Sequence, residues 1–199
     1  AGRMRKFACA LVDRYTAPQP PARRTSTNNW QSHRVKIAVM GAGVCGDPAR
    51  TARADAVYAA QIAANLTPAG PSVDFAERDA LHYVVYSLEP LLEAALFAQA
   101  EGRTLYATTG PQRQSLAGTL GWLAPYARGE KTHDEFVRSQ VRFDAERAAA
   151  GVPGFSGPFE PKKAQKTYWL AARLDPQWHP LSTALGAPWI TQRAPWLVP

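Results

Sequence analysis

The sequence predicts an all-α fold of stacked helical hairpins, and three observations carry that prediction. Apolar residues recur at helical spacing along most of the chain, Pro and Gly cut it into segments of helix length, and no segment alternates convincingly as a strand. The composition agrees: 46% hydrophobic and 20% charged over 199 residues excludes a mainly disordered chain and suits one domain, residues 1–199, with a sizeable core. The 17 prolines and 14 glycines gather near 16–21, 67–71, 151–161 and 186–199, as loops rather than low complexity.

Taken in order, the opening residues show no apolar stretch with a cleavage site, so no signal peptide is read in them, and the start without Met suits a mature form or a fragment. Thr27-Asn28-Asn29 offers N-cap residues before a helix with Trp30, Ile37, Met40 and Val44 at its apolar positions. Residues 50–65 form an Ala-rich helix that the Pro/Gly loop at 67–71 ends. A helix is expected over 75–86, then a second that Ser87 caps, with Pro90 in its first turn, running to Gly102. Gly110-Pro111 opens the next, to about Arg128, with Leu116, Leu120 and Leu123 on one face. Thr132-His133-Asp134-Glu135 fits a capping box, Thr followed three residues later by Glu, for a helix carrying Phe136, Val137 and Val141 to about Ala150. After a loop at 151–161 a helix runs from Lys162 to Leu174, stopped by Asp175-Pro176, and 177–199 reads as an irregular Pro/Trp-rich tail. That makes about six or seven helices.

The net charge is +7 with a pI near 9.7, which favours polyanionic partners. The basic residues are scattered, with nothing denser than pairs such as Arg23-Arg24 and Lys162-Lys163, so nucleic acid is not expected as a partner. No apolar run reaches the ~18 residues of a membrane-spanning helix, and no membrane partner is expected. Cys9 and Cys45 allow one bridge or two buried thiols, and the sequence leaves both open.

Two motifs compete for a chemical role. Gly41-Ala42-Gly43-Val44-Cys45-Gly46 matches the dinucleotide pattern G-x-G-x-x-G, and residues 35–40 before it have strand-like character. Against that reading, Asp47 puts negative charge where a pyrophosphate would sit, Asp74 lies beyond the ~20 residues expected of a ribose-binding acid, and no βαβ alternation follows. The preferred reading is a helix with small residues where another helix crosses closely, and no cofactor is expected. No metal is expected either, since His33, His82, His133 and His179 show no H-x-x-x-H spacing and the cysteines no C-x-x-C.

The second motif is polar and aromatic. Asn28-Asn29-Trp30-Gln31-Ser32-His33-Arg34 puts Asn29 and His33 at i,i+4, and Arg78 with His82 repeats that spacing beside Tyr83 and Tyr86. Taken singly these are ordinary caps, surface residues and core tyrosines. Together they supply what β-elimination from a uronic acid needs: an amide or guanidinium to neutralise the carboxylate beside the departing proton, a base to take that proton, and an acid for the leaving oxygen.

These residues carry a resemblance. The first run, the segment Glu77-Arg78-Asp79-Ala80-Leu81-His82-Tyr83-Val84-Val85-Tyr86-Ser87-Leu88-Glu89-Pro90-Leu91, the turn at Gly102-Arg103-Thr104-Leu105-Tyr106 and the helix end Leu123-Ala124-Pro125-Tyr126 resemble the alginate lyase superfamily over about 25–175. The resemblance implies an (α/α) toroid and cofactor-free eliminative cleavage of an acidic polysaccharide, such as polymannuronate or glucuronan, in the periplasm or outside the cell. It implies Asn29, His33, Arg78 and Tyr86 as catalytic residues: Asn29 and Arg78 on the carboxylate, His33 as base, and Tyr86 as acid and also as a second candidate for the base. Asn28, Trp30, Arg34, His82 and Tyr83 are the substrate-binding candidates, and Lys36 and Arg113 join Arg34 on charge alone. Two departures bear on substrate choice. Trp30 follows the Asn pair where many mannuronate lyases have His, and Tyr83-Val84-Val85-Tyr86 replaces Tyr-His-x-Tyr. A full toroid needs roughly twice the helices counted, so the chain reads as the C-terminal portion of a larger barrel, whose other part is a possible partner. The rival class is a non-catalytic domain that binds the same polysaccharide, with a nicotinamide oxidoreductase as the outlier.

Overall fold

The computed structural model describes residues 2–18 and 25–186. The fold is all-α, and among the described residues β-structure is confined to three isolated bridges such as Leu66 with Ser72. The α-helices are α1 (Gly2–Thr16), α2 (Asn29–Cys45), α3 (Pro48–Asn65), α4 (Val73–Arg78), α5 (Leu81–Ala100), α6 (Leu116–Ala127), α7 (Arg142–Ala149), α8 (Gln165–Leu174) and α9 (His179–Leu185).

Local chemistry explains the boundaries that position the site. The Asn28 side chain accepts from the Trp30 N–H at 3.1 Å and starts α2, which Gly46 ends in the left-handed conformation at φ 65. Asp47, set against a phosphate site in the sequence, caps α3 by accepting from the Arg50 N–H at 2.9 Å, with Pro48 in the first turn. Helices α2, α5 and α8 pack side by side in one row, α1 and α3 flank α2, and α9 packs on α8. The core is continuous through Val35, Val39 and Ala42 of α2, Leu81, Leu88 and Leu92 of α5, and Tyr168 and Ala171 of α8. Fully burying a side chain of Leu size contributes about 2 kcal/mol, so this row is held mainly by apolar packing. Two buried tyrosines bond their hydroxyls to backbone, Tyr58 to Leu91 O at 3.3 Å and Tyr168 to Leu120 O at 2.7 Å, as burial requires.

Cys9 and Cys45 form a disulfide between α1 and the end of α2, with Cα atoms 5.0 Å apart. Closing a loop of 36 residues restricts the unfolded chain by about 3–4 kcal/mol in the chain-entropy account. The alternative of two free buried thiols is thereby excluded.

Four expectations are corrected. The break assigned to Ser87 lies instead at Asp79–Ala80, where Asp79 turns left-handed at φ 50; Ser87 is buried inside α5 and donates to Asp74 at 2.8 Å. Pro90 therefore sits in the interior of α5 and removes the hydrogen bond that the Tyr86 carbonyl would otherwise accept. The helix expected from Gly110 begins at Leu116, because Gln114 and Ser115 bond the backbone N–H groups of Gln112 and Gly118 and hold 110–115 as a turn. The capping box at 132–135 starts no helix: Phe136 is left-handed at φ 66, and the nearest helix is α7, from Arg142. The tail is not irregular from Gln177, since a 3-10 turn at Pro176–Trp178 leads into α9; residues 187–199 lie outside the described residues.

Candidate functional site

The helix row presents the N-terminal half of α2, the middle of α5 and the start of α8 to a common cavity of about 350 Å³. Asn29, Trp30, His33 and Lys36 come from α2, Tyr86, Glu89, Pro90 and Glu93 from α5, and Lys166 from α8. The i, i+3, i+4 and i+7 steps explain the membership, because each helix lays one stripe along the cavity. Three of the four catalytic candidates, Asn29, His33 and Tyr86, are thus brought together from sequence positions more than fifty residues apart.

The cavity continues at both ends. Trp30 and His33 also line a hollow with Arg14, Tyr15, Arg34 and Ile37, and Tyr86 and Glu89 line another with His82, Tyr83, Arg147, Phe155 and Lys163. Shared residues make the three hollows one groove, and Tyr86 stands at a junction with 51% of its surface exposed. Trp30 is 61% exposed, so of its two readings, sugar stacking and core packing, the core is ruled out.

Asn29 is held from beneath. Its backbone N–H donates to Asp74 Oδ1 at 3.1 Å, and the other carboxylate oxygen accepts from Asn65 Nδ2 and Ser87 Oγ, each at 2.8 Å. Asn65 and Gln61 also donate to the Thr27 carbonyl, and Gln61 reaches the Asn28 carbonyl and Ser32 Oγ. Burial pushes the Asp74 pKa up against these donors. This network fixes the backbone on which Asn29 is mounted, and the Asn28 side chain is spent as the α2 cap rather than offered to a ligand.

The cavity wall is ionic but balanced. Lys36 meets Glu93 at 2.7 Å, and Lys166 meets Glu93 at 2.7 Å and Glu89 at 3.0 Å. Burial raises the Glu89 pKa against the pull of Lys166. In Glu93 the same desolvation is outweighed by hydrogen bonds from Lys166 and Lys36, which hold it below its ordinary value. For His33, partial burial and then the Lys36 ammonium lower the pKa below 6.5, which keeps its imidazole neutral at pH 7.

Arg78 does not join this cavity. Its guanidinium is committed to fully buried Asp144 at 2.6 Å and lies over the Tyr83 ring, 4.4 Å from the centroid. Tyr83 is consequently half-covered, with its pKa raised by burial. Arg34 lines the hollow beside Trp30 but hydrogen-bonds Thr25 and Gln31, and Arg113 sits on an exposed turn away from all three hollows. His82 lines the Tyr86 end of the groove and is bonded through Nδ1 to Glu135. The sequence reading missed Glu89, Glu93, Lys166, Asp74 and Glu135. Glu89 and Glu93 were legible as i+3 and i+7 from Tyr86 on one helix face, whereas Lys166 and Glu135 arrive only through tertiary packing.

The glycine motif has a structural purpose. Gly41 lets α2 approach α1, with Val12 Cγ2 at 3.3 Å from where a Cβ would sit. A Cβ at Gly43 would overlap the Phe97 ring at 2.5 Å and the Glu101 carboxylate, and Gly46 is the helix cap. The three glycines thus serve helix packing and termination inside and after α2, as the preferred sequence reading had it.

A family profile described as Alginate lyase matches residues 1–133. Among solved structures, an alginate lyase from Bacteroides ovatus superposes with a TM-score of 0.64 at 16% identity, over 93% of this chain and 46% of that one. The chain therefore spans less than half the length of that protein, and the likeness is one of fold. No curated protein matches by sequence.

Proposed function

Because the chain belongs to the alginate lyase family, we propose that it cuts a β-1,4-linked uronate polymer by β-elimination, with the cavity between α2, α5 and α8 as the reacting centre. One observation supports this reading: Asn29, His33 and Tyr86 line the same cavity, so an amide donor, an imidazole and a phenol are within reach of a sugar that enters it. The Asn29 amide takes the carboxylate and disperses the charge that grows on it as C5 loses its proton, with the Lys36–Glu93 pair further along the same cavity. His33 Nδ1 or Nε2 accepts that proton, the electron pair forms the C4=C5 bond, the C4–O4 bond breaks, and the Tyr86 hydroxyl protonates O4. In this scheme Arg78 steadies Tyr83 rather than touching substrate, which alters the role implied by the family resemblance. Trp30 offers an exposed ring for a neighbouring sugar, and Arg147 and Lys163 supply cations at the far end of the groove.

The Cys9–Cys45 disulfide supports a periplasmic or secreted location. Met4 and Phe7 of α1 and Met40 and Val44 of α2 are exposed apolar residues on neighbouring helices, which supports an edge where further helices of the toroid pack. The test is direct. Protein incubated with polymannuronate, polyguluronate and glucuronan should generate ultraviolet absorbance from the conjugated C4=C5 product on one polymer. A flat trace on all three with binding retained would favour a binding domain, and one without binding would remove the uronate reading.

A further inference from the structure

Glu135 lies outside every motif that points to the reaction, yet it is placed to serve it. Its side chain is 1% exposed. One carboxylate oxygen accepts from the Leu81 N–H at 2.5 Å, capping α5 where Ala80 supplies no side-chain cap, and the other meets His82 Nδ1. The loop that carries Glu135 is pinned to the α4–α5 corner by Phe136 N to Asp79 O at 2.8 Å, Arg138 N to Asp79 Oδ2 at 2.9 Å and Gln140 N to Glu77 O at 2.9 Å. The carboxylate is therefore fixed relative to the first turn of α5.

A carboxylate against Nδ1 sets the state of the ring, since two acceptors cannot share a proton-free contact: Nδ1 carries the hydrogen. His82 Nε2 is left without a hydrogen-bond partner among the described residues, and the ring lines the groove together with Tyr86. The two rings meet at a centroid distance of 5.3 Å in a T-shaped arrangement, and Tyr83 and Phe136 close the other sides of His82 at 4.6 and 5.0 Å. The imidazole thus has one nitrogen bound to Glu135 and one without a partner among the described residues, on a ring in edge contact with the phenol ring.

We propose that Glu135 and His82 form a dyad that resets Tyr86 between turnovers, an inference that rests on Tyr86 being the acid of the elimination. After Tyr86 gives its proton to O4, a phenolate remains. His82 Nε2 takes a proton from solvent and hands it to that oxygen, while the Glu135 carboxylate balances the charge at Nδ1 in transit. The ring returns to its Nδ1–H form, and His33 releases to solvent the proton it took from C5, so the cycle closes with no net change in the protein. Glu135 is a positioning residue and His82 the group that contacts Tyr86.

The substitution Glu135→Gln tests this, because a glutamine oxygen can still cap Leu81 while its amide N–H₂ turns to Nδ1 and inverts the tautomer. On the polymer that wild type cleaves, kcat should fall about 10²-fold with KM changed less than about twofold, and the His82 ¹⁵N resonances should switch from Nδ1–H to Nε2–H. Unchanged kcat, or a rise in KM alone, would overturn the dyad. So would an Nε2–H tautomer of neutral His82 in the wild type, a measurement that needs no variant to fold. Wild-type protein that eliminates none of the polymers would instead remove the reading of Tyr86 as acid, and the dyad's role with it.

Discussion

The two ends of α2 each carry a short motif, and they are built on opposite principles. At the N-terminal end, Asn28 to His33 sit over buried polar groups, Asp74, Asn65, Gln61 and Ser87, that exist to hold a backbone segment beside a cavity. At the C-terminal end, Gly41, Gly43 and Gly46 have side chains removed so that α1 and α5 can approach and the helix can stop. One end spends polar burial, which is costly unless every group is bonded, and the other maximises apolar contact. A site for chemistry is recognised by the first pattern. A glycine motif by itself marks only close approach until a ligand-facing hollow accompanies it.

Substitutions at the two ends should therefore fail in different ways. The largest expected effect is Asn29→Ala, which removes the amide donor from the cavity while leaving the Asp74 bond to its backbone N–H intact. Steady-state kinetics should show kcat lower by about 10²–10³-fold, roughly 3–4 kcal/mol of transition-state stabilisation, with the melting temperature nearly unchanged. Asp74→Asn disturbs the support instead. An asparagine cannot accept from three donors, so denaturant unfolding should report a loss of about 2 kcal/mol, together with reduced activity. Gly43→Ala sharpens the contrast: overpacking against Phe97 and Glu101 should cost about 1–2 kcal/mol of stability while kcat stays near wild type. An equal loss of activity in Gly43→Ala would mean that the two ends are not independent.

The smallest expected effect is a pH shift. Because burial and Lys36 lower the His33 pKa, its base form persists to more acid conditions, and the acid limb of kcat/KM should fall below pH 6.5. The sign for stability follows: the unfolded chain binds the His33 proton more readily, so this group's contribution weakens the fold as pH drops from 6.5 through the lowered folded value. Lys36→Met, which removes the positive neighbour, should move the limb upward.

Much of this was legible in the sequence. Helical periodicity gives the fold class, and Asn28 as a cap places Asn29 and His33 on one face, so half of the site follows from local rules. The other half depends on register between distant segments. Thr132 to Glu135 shows why: the pattern of a helix-capping glutamate is present, but the helix it caps is α5, fifty-four positions earlier, and local reading assigns it to the wrong neighbour. Arg78 fails similarly, since nothing local reveals that Asp144 is buried opposite it and takes its charge. Ser87 looked like a cap for the same reason: its hydroxyl does bond a partner, but the partner is Asp74 across the helix interface.

The central claim is that the cavity uses Tyr86 as an acid rather than merely as a wall, and Tyr86→Phe tests it most directly. The change removes one exposed hydroxyl, so fold and sugar contact should persist. Calorimetry should give binding of the preferred uronate polymer within about threefold of wild type, while the rate of unsaturated product formation falls by about 10³-fold. Turnover by Tyr86→Phe at the wild-type rate would contradict the account and move the acid to another group in the groove.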